Sequence, residues 1–87
     1  MEEKNEIVYV VQSYRFADYE SHSYIVGVFS TKEKAKDQAR KEEEFRGGKY
    51  ACTIMTLEMD KNDMQQDIRV EPTEFFYKLA ERANDLV

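Results

Sequence analysis

Hydrophobic residues fall into three short runs with strand character, followed by a helical stripe near the end of the chain. Residues 6–16 (EIVYVVQSYRF), 22–29 (HSYIVGVF) and 49–59 (KYACTIMTLEM) are rich in β-branched and aromatic residues, which predicts three strands. The polar stretch ADYES between the first two is short enough for a hairpin loop. The first two strands are therefore predicted to pair in antiparallel fashion.

A helix start signal follows the second strand. Ser30 precedes TKEKA, and the spacing to Glu33 forms an S-x-x-E capping box, in which each side chain accepts an amide hydrogen bond from the other's backbone. The predicted helix runs to about residue 46, where Gly47 and Gly48 end it and permit a left-handed cap.

The C-terminal stretch EPTEFFYKLAERANDLV predicts a second helix over about residues 72–86. Pro72 suits the first helical position, where its missing N–H has no helical acceptor. One apolar stripe then forms, with Phe75 beside it, from Phe76, Leu79, Ala80, Ala83 and Leu86.

The predicted architecture is a single α+β domain over residues 1–87, in the order β-β-α-β-α, with a core at about residues 6–60. A strand–helix–strand crossover is normally right-handed. This rule is satisfied when the third strand lies beside the first, which gives a three-stranded antiparallel sheet of order 2-1-3 with the helices packed on it. The polar stretch DKNDMQQD is predicted as a break between the third strand and the last helix.

Both faces of the predicted sheet are apolar, so both require cover. Ala35 and Ala39 lie on the inward stripe of the first helix, with Phe45 at its edge, and can cover one face. The second face needs either the last helix, through Phe75, Phe76 and Leu79, or a second copy in a homodimer, because a bare face would exceed the apolar patch usual for a monomer.

Composition narrows the class of protein. The chain has 87 residues, a net charge of −5 and one cysteine. The acidic balance disfavours nonspecific binding to nucleic acid or anionic membrane. A lone cysteine suits a reducing compartment, no apolar run is long enough to span a membrane, and MEEKNE is unlike a signal peptide. These features predict a cytoplasmic protein.

The sequence argues against an enzyme, a metal site and a bound cofactor. Asp18, Glu20 and His22 alternate as ligands on a strand would, but three such residues in a polar loop are commonplace. DKNDMQQD lacks the turn glycine and the closing glutamate of a calcium loop. Cys52 lies within a strand, where a buried, inert thiol is expected.

Two further kinds of binding stay open as alternatives. Nucleic acid could contact the first helix through Lys32, Lys34, Lys36, Arg40 and Lys41. Acidic residues interleave with these bases, however, so a solvated helix face is favoured. A small ligand or nucleotide could instead bind between the sheet and the last helix.

Aromatic residues concentrate around the first hairpin, which makes it the favoured partner-binding surface. Tyrosine is frequent at protein interfaces because it joins a large apolar body to a polar end. The alternative is that some of these rings complete the hydrophobic layer at the hairpin end. The candidate residues are Tyr14, Phe16, Asp18, Tyr19, Glu20 and Tyr24.

Three segments carry a resemblance to a known group of proteins. VYVVQSYRF, YIVGVFSTKEKAKDQA and YACTIMTLEMD together resemble small uncharacterised bacterial and phage ββαβ proteins with a V-Y-V-V…G-V-F-S-T-K-E-K-A core, over about residues 7–60. The resemblance implies a ββαβ fold and a phage or mobile-element origin, and it supplies no active-site residues. The resulting hypothesis is a noncatalytic accessory protein that binds and modulates a host protein.

Overall fold

The computed structural model describes residues 6–16 and 21–85, which form four strands and two helices. The elements are β1 (Ile7–Phe16), β2 (Ser21–Phe29), α1 (Lys32–Phe45), β3 (Tyr50–Glu58), β4 (Arg69–Pro72) and α2 (Glu74–Asp85). The α+β class is confirmed.

The strands form one antiparallel sheet in the order β2-β1-β3-β4. The long central strand β1 pairs Val10 with Val28 of β2 and Val11 with Ile54 of β3. A β-bulge at Val26 of β2 shifts the register with β1. The predicted order of the first three strands and their antiparallel pairing are retained.

The predicted sheet of three strands is wrong because β4 adds a fourth strand beside β3. β4 has only four residues, RVEP, and they pair with residues 53–56 of β3. A proline, two charged residues and a single valine give such a segment no alternating apolar pattern to detect. Proline and charge are common on edge strands, where they discourage pairing with another chain.

The loop before β4 is held by side-chain amides. Gln66 Nε2 donates to the carbonyl oxygens of Glu58 at 3.1 Å and Lys61 at 2.8 Å, while Gln66 Oε1 accepts from the Glu58 amide at 2.7 Å. Asn62 Oδ1 accepts from the amides of Met64 and Gln65. These contacts make the polar segment turn after β3, so that β4 runs antiparallel beside β3.

α1 covers one face of the sheet and builds the most deeply buried core. Ala35 and Ala39 are fully buried, as their place on the predicted inward stripe requires. The core consists of Val11, Ala35, Ala39, Cys52 and Ile54, with Tyr9, Val26 and Phe29 packed against it. Small alanine side chains let the helix approach the sheet closely.

α1 begins one residue later than the capping box predicts. Thr31 is the N-cap, in extended conformation, and its hydroxyl accepts from the Lys34 amide at 3.2 Å. The predicted Ser30 cap is therefore wrong. Serine and threonine cap equally well in sequence terms, so the choice depends on where β2 releases the chain.

Two glycines end α1, as predicted. Gly47 and Gly48 have φ values of +64° and +79°, a region that residues with a Cβ rarely adopt. The Gly48 amide reaches back to the Glu43 carbonyl at 3.2 Å, which satisfies one of the last helical acceptors.

α2 begins at Glu74, and Thr73 caps it by accepting from the Phe76 amide at 3.1 Å. The prediction that Pro72 opens this helix is wrong, because Pro72 ends β4 instead. α2 packs against the sheet face opposite α1, where the rings of Phe76 and Tyr14 meet edge to face at 5.8 Å.

Candidate interaction surfaces

The predicted hairpin surface is only partly within the described residues. Asp18, Tyr19 and Glu20 lie outside them, as does the side chain of Phe16. Tyr14 packs on α2, whereas Tyr24 lies on the opposite face of the sheet and contacts α1. The structure therefore does not bring Tyr14 and Tyr24 together, and it gives each of them an intramolecular partner.

The three predicted packing residues of α2 separate in space. Phe76 meets Tyr14 on the sheet, and Leu79 is partly buried. Phe75 turns toward the end of α1, where its ring would lie 3.5 Å from a Cβ built on Gly48. Because it contacts only part of its face, α2 leaves the rest of that face open.

We call the uncovered part the open sheet half. Its three most exposed side chains come from the outer strands, with Ile25 exposed by 54%, Val28 by 60% and Val70 by 49%. Central-strand residues between them are only partly buried. Strand alternation places on it Val8, Val10, Ile25, Val28, Met55, Leu57 and Val70.

This face of the sheet carries no charged residue at any strand position that the structure describes. Charges on the strands alternate onto the other face, for example Arg15, Glu58, Arg69 and Glu71. The open sheet half is thus an apolar, neutral surface on a chain whose net charge is −5. A neutral apolar patch that spans four strands is typical of an interaction site.

A second feature lies on the α1 side, near the end of that helix. Tyr24 and Tyr50 come from strands on either side of β1, and their rings meet at 5.7 Å. Arg46 lies over three rings, with its Cζ at 5.3 Å from Tyr24, 5.4 Å from Tyr50 and 5.5 Å from Phe45. We call this set, which consists of Arg15, Tyr24, Glu42, Phe45, Arg46 and Tyr50, the aromatic–arginine cluster.

Hydrogen bonds orient the centre of the cluster. The Tyr24 hydroxyl donates to Glu42 Oε2. Arg46 Nε donates to the same oxygen at 3.0 Å and to the Tyr24 hydroxyl at 3.1 Å. The guanidinium is therefore fixed by two acceptors and by the faces of aromatic rings.

The electrostatics of the cluster follow from these bonds. The hydrogen bond from Tyr24, followed by the one from Arg46, lowers the pKa of Glu42. Partial burial and the Glu42 carboxylate raise the pKa of Tyr24. The bonds to Glu42 and Tyr24 raise the pKa of Arg46. Glu42 thus stays ionised and Arg46 stays charged across the physiological range.

A groove separates the end of α1 from the start of α2. Two adjoining cavities of about 470 Å³ each share the side chains of Arg40, Glu43 and Phe75. The groove reaches Ile54 and is bordered by Lys36 and Lys78, while Gly47 and Gly48 form one end. A cavity of this size accommodates a small ligand.

Three of the five basic residues of α1 form ion pairs with acids in the described structure. Asp37 pairs with Arg40 at 2.8 Å and with Lys41 at 3.0 Å, and these bonds lower the Asp37 pKa. Lys32 pairs with Glu71 of β4 at 2.8 Å. Phosphates would have to compete with these carboxylates, which weakens the case for nucleic-acid binding.

A metal site and a membrane-spanning helix are two further features that the described residues could contain. Within the residues that the structure describes, no three His, Cys, Asp or Glu side chains come together as metal ligands would. No helix of that part of the chain is long and apolar enough to cross a membrane. The predicted ligand positions Asp18 and Glu20 lie outside the described residues.

A comparison against protein families found a matching family model. The chain belongs to the family described as a domain of unknown function (DUF7336), whose model matches residues 6–70. The match includes the whole sheet up to Val70 and ends before α2. No curated protein and no solved structure matched the sequence.

Sequence reasoning missed most of the aromatic–arginine cluster. The stretch EFRGGKY was interpreted only as a helix stop, although it contains an aromatic residue and an arginine just before the glycines and a tyrosine just after them. The sequence predicts Phe45 at the edge of the inward stripe of α1, but its side chain is 79% exposed. Aromatic residues and arginine are enriched at binding hot spots, and their adjacency here is visible in the sequence, whereas the exposure of Phe45 is not.

Proposed function

We propose that the protein is a noncatalytic protein-binding module and that the open sheet half is its binding surface. One observation carries the proposal: four strands present a mainly apolar surface, interrupted by Gln12 and without a charged residue at the described strand positions, and α2 covers only part of that face. Exposure of Ile25, Val28 and Val70 to water is unfavourable, and an apolar partner would remove this cost.

The partner that fits this surface is a second copy of the chain. Two molecules with a net charge of −5 repel each other, and this repulsion is weakest where the facing surfaces carry no charge. A neutral apolar face is also complementary to itself, as a two-fold symmetric interface requires. Two sheets packed face to face would bury both open halves in one apolar layer.

The size of the surface predicts a reversible dimer. Four strands about 4.8 Å apart and five residues at about 3.3 Å each give a patch of roughly 19 by 16 Å per copy. Such a patch covers about 300 Å² per copy, well below the roughly 800 Å² per partner of a standard specific interface, so the association is expected to be weak and transient. The dimer should therefore dissociate on dilution, and it should strengthen as salt screens the repulsion between the copies.

The test is sedimentation velocity over a wide concentration range. We expect the parent to shift from monomer to dimer as its concentration rises, and Val28→Lys to remain monomeric because a charge would be buried in the apolar layer. Met64→Lys is the matched control, since Met64 is 89% exposed but lies in the loop before β4. Circular dichroism verifies that both variants fold.

Two results would overturn the proposed surface. One is a parent that stays monomeric at every concentration and salt level. The other is a Val28→Lys variant that dimerises as readily as the parent.

A second candidate function is small-ligand binding in the groove between α1 and α2. The observation in its favour is the pair of adjoining cavities, with Phe75 at the centre and Lys36 and Lys78 at the border. A thermal-shift panel of nucleotides tests it. A shift that disappears in Lys36→Ala/Lys78→Ala would favour this function, whereas no shift with any member of the panel would count against it.

The other sequence-based hypotheses stay predictions. Binding through the hairpin would depend on Tyr19 with Asp18 and Glu20, and the origin and host partner would depend on the resemblance alone. Capture from a host lysate, compared between the parent and Tyr19→Ala/Glu20→Lys, tests the hairpin surface separately from Val28→Lys.

A further inference from the structure

The two guanidinium groups of the aromatic–arginine cluster have donors to spare. Only Nε of Arg46 is used, by Glu42 and Tyr24, and within the described residues its Nη groups have no partner. Arg15 lies over the Tyr50 ring at 5.9 Å and has no carboxylate partner in that part of the chain. Within the described residues, the cluster therefore has two arginines but only one arginine–carboxylate pair, that of Arg46 with Glu42.

Arg46 is also held in place before any ligand arrives. Three ring contacts and two hydrogen bonds already restrict its side chain, so binding an anion would cost little further conformational entropy. A guanidinium fixed through Nε can still present the N–H groups of its Nη atoms as a planar fork. A carboxylate matches that fork with two parallel hydrogen bonds.

Phe45 gives the cluster an apolar neighbour. Its side chain is 79% exposed, and Arg46 lies over its ring. A ligand that places an apolar side chain on Phe45 and a carboxylate on Arg46 would use both features. Such a pair is found in a peptide segment where acidic and aliphatic residues alternate.

We propose that the aromatic–arginine cluster binds an acidic, partly apolar peptide segment of a partner protein. Arg46 takes a carboxylate of that segment through its Nη groups, Arg15 attracts a second acidic residue, and Phe45 contacts an aliphatic side chain. A polyanion such as nucleic acid fits less well, because the two arginines of the cluster offer few charges to a run of phosphates and the exposed Phe45 offers none.

This surface is independent of the proposed dimer interface. Tyr24, Tyr50 and α1 lie on one face of the sheet, and the open sheet half is on the other. A failure of one proposal therefore leaves the other standing, and the two are tested with different variants.

The experiment measures binding of the full chain to a short fluorescent peptide in which glutamate alternates with leucine, by fluorescence anisotropy. The matched peptide has glutamine in place of every glutamate. A single-stranded DNA oligonucleotide and inorganic phosphate serve as competitors. We expect the glutamate peptide to bind, the glutamine peptide to bind at least about tenfold more weakly, and neither competitor to displace the ligand.

Variants assign the binding to the cluster. Arg46→Gln and Arg15→Gln should each weaken peptide binding about tenfold or more, and Phe45→Ser should weaken it to a smaller degree. Arg40→Gln removes a basic residue of α1 outside the cluster and should bind like the parent. Val28→Lys should also bind like the parent, which separates this surface from the dimer interface.

Two measurements distinguish a loss of peptide binding in Arg46→Gln from a loss of folding. Arg15 and Phe45 make no hydrogen bond to Glu42 or Tyr24 in the described structure, so their variants report on binding even if Arg46→Gln fails to fold. The NMR signal of the Arg46 Nε–H group should also move when the glutamate peptide is titrated. Equal binding of both peptides, displacement by DNA, or equal affinities of Arg15→Gln, Phe45→Ser and Arg40→Gln would overturn the proposal.

Discussion

At the scale of single residues, Glu43 connects three elements of the fold. Its carboxylate is buried at the end of α1, and Oε2 accepts from the Cys52 amide at 3.0 Å and from the Thr73 hydroxyl at 2.6 Å. The Cys52 carbonyl accepts from the Thr73 amide at 3.1 Å. The side chain therefore satisfies a β3 amide at the point where β4 ends, and it positions the hydroxyl that caps α2.

We predict that Glu43→Ala lowers the free energy of unfolding by about 2–4 kcal/mol, because it leaves the buried Cys52 N–H and the Thr73 hydroxyl without their acceptor. Urea unfolding measures the change. Glu44→Ala is the control, since that neighbour is exposed, and it should stay within about 0.5 kcal/mol of the parent. Equal losses in the two variants would contradict this role.

The Cys52 thiol makes the free energy of unfolding depend on pH in the alkaline range. Burial raises the pKa of its thiol from 9.0 to about 11. As pH rises through 9.0 the unfolded chain loses the thiol proton while the folded chain keeps it, so the unfolded state then binds fewer protons. Stability from this group is fully present below the unfolded pKa and is lost as pH rises toward the folded pKa.

We predict that ionisation of Cys52 lowers the free energy of unfolding as pH rises between the two pKa values. The decrease should be about 1.4 kcal/mol per pH unit, up to about 2.7 kcal/mol in total. Unfolding of the parent and of Cys52→Ala from about pH 8 to about pH 11 isolates it, because all other groups titrate in both proteins. The difference in stability between the two proteins should change in favour of Cys52→Ala as pH rises. A constant difference would mean that the thiol ionises equally in both states.

At the scale of elements, the structure shows which of two neighbouring residues caps α1, a choice that the sequence alone does not make. Thr31, not Ser30, accepts from a helical amide. We predict that Thr31→Ala costs about 1 kcal/mol of stability and that Ser30→Ala is nearly neutral. Urea unfolding of both variants tests this, and the reverse ranking would restore the predicted capping box at Ser30.

The two helices cover the sheet to different extents, and the difference arises from their connections. α1 lies across β1, β2 and β3 and supplies two alanines to the core. α2 is tied by Thr73 to the end of β4, so it starts at one end of its face and contacts mainly β3. The open sheet half is the part that α2 does not reach.

At the scale of the whole molecule, the described strand positions place their charged side chains on the α1 face and none on the face of the open sheet half. The proposed dimer would stack α1, sheet, sheet and α1 in layers, with each α2 beside the shared apolar layer and each α1 outward. Each copy would then display one aromatic–arginine cluster on the outside. Two clusters on one dimer can bind two acidic segments of the same partner, which would raise the apparent affinity without a new contact.

The local elements could be predicted from the sequence to different degrees. β1, β2 and β3 have long β-branched and aromatic runs, and both helices have apolar stripes, so each pattern spans enough residues to be distinctive. β4 has four residues with one apolar side chain, which is too little to predict. The hairpin interpretation could not foresee that Tyr14 and Tyr24 lie on opposite faces, because a β-bulge at Val26 of β2 changes the register with β1.

Side-chain alternation and helical spacing are local patterns, and they are enough to predict the α+β class, the antiparallel order of the first three strands and the need to cover two apolar faces. The half-open face and the contacts of Arg46 with Tyr24 and Tyr50 appear only in the folded chain. Those features depend on contacts between residues far apart in the chain, which no local pattern specifies. The stretch that ends α1 is therefore both a helix stop, as the sequence predicts, and one side of a candidate binding surface.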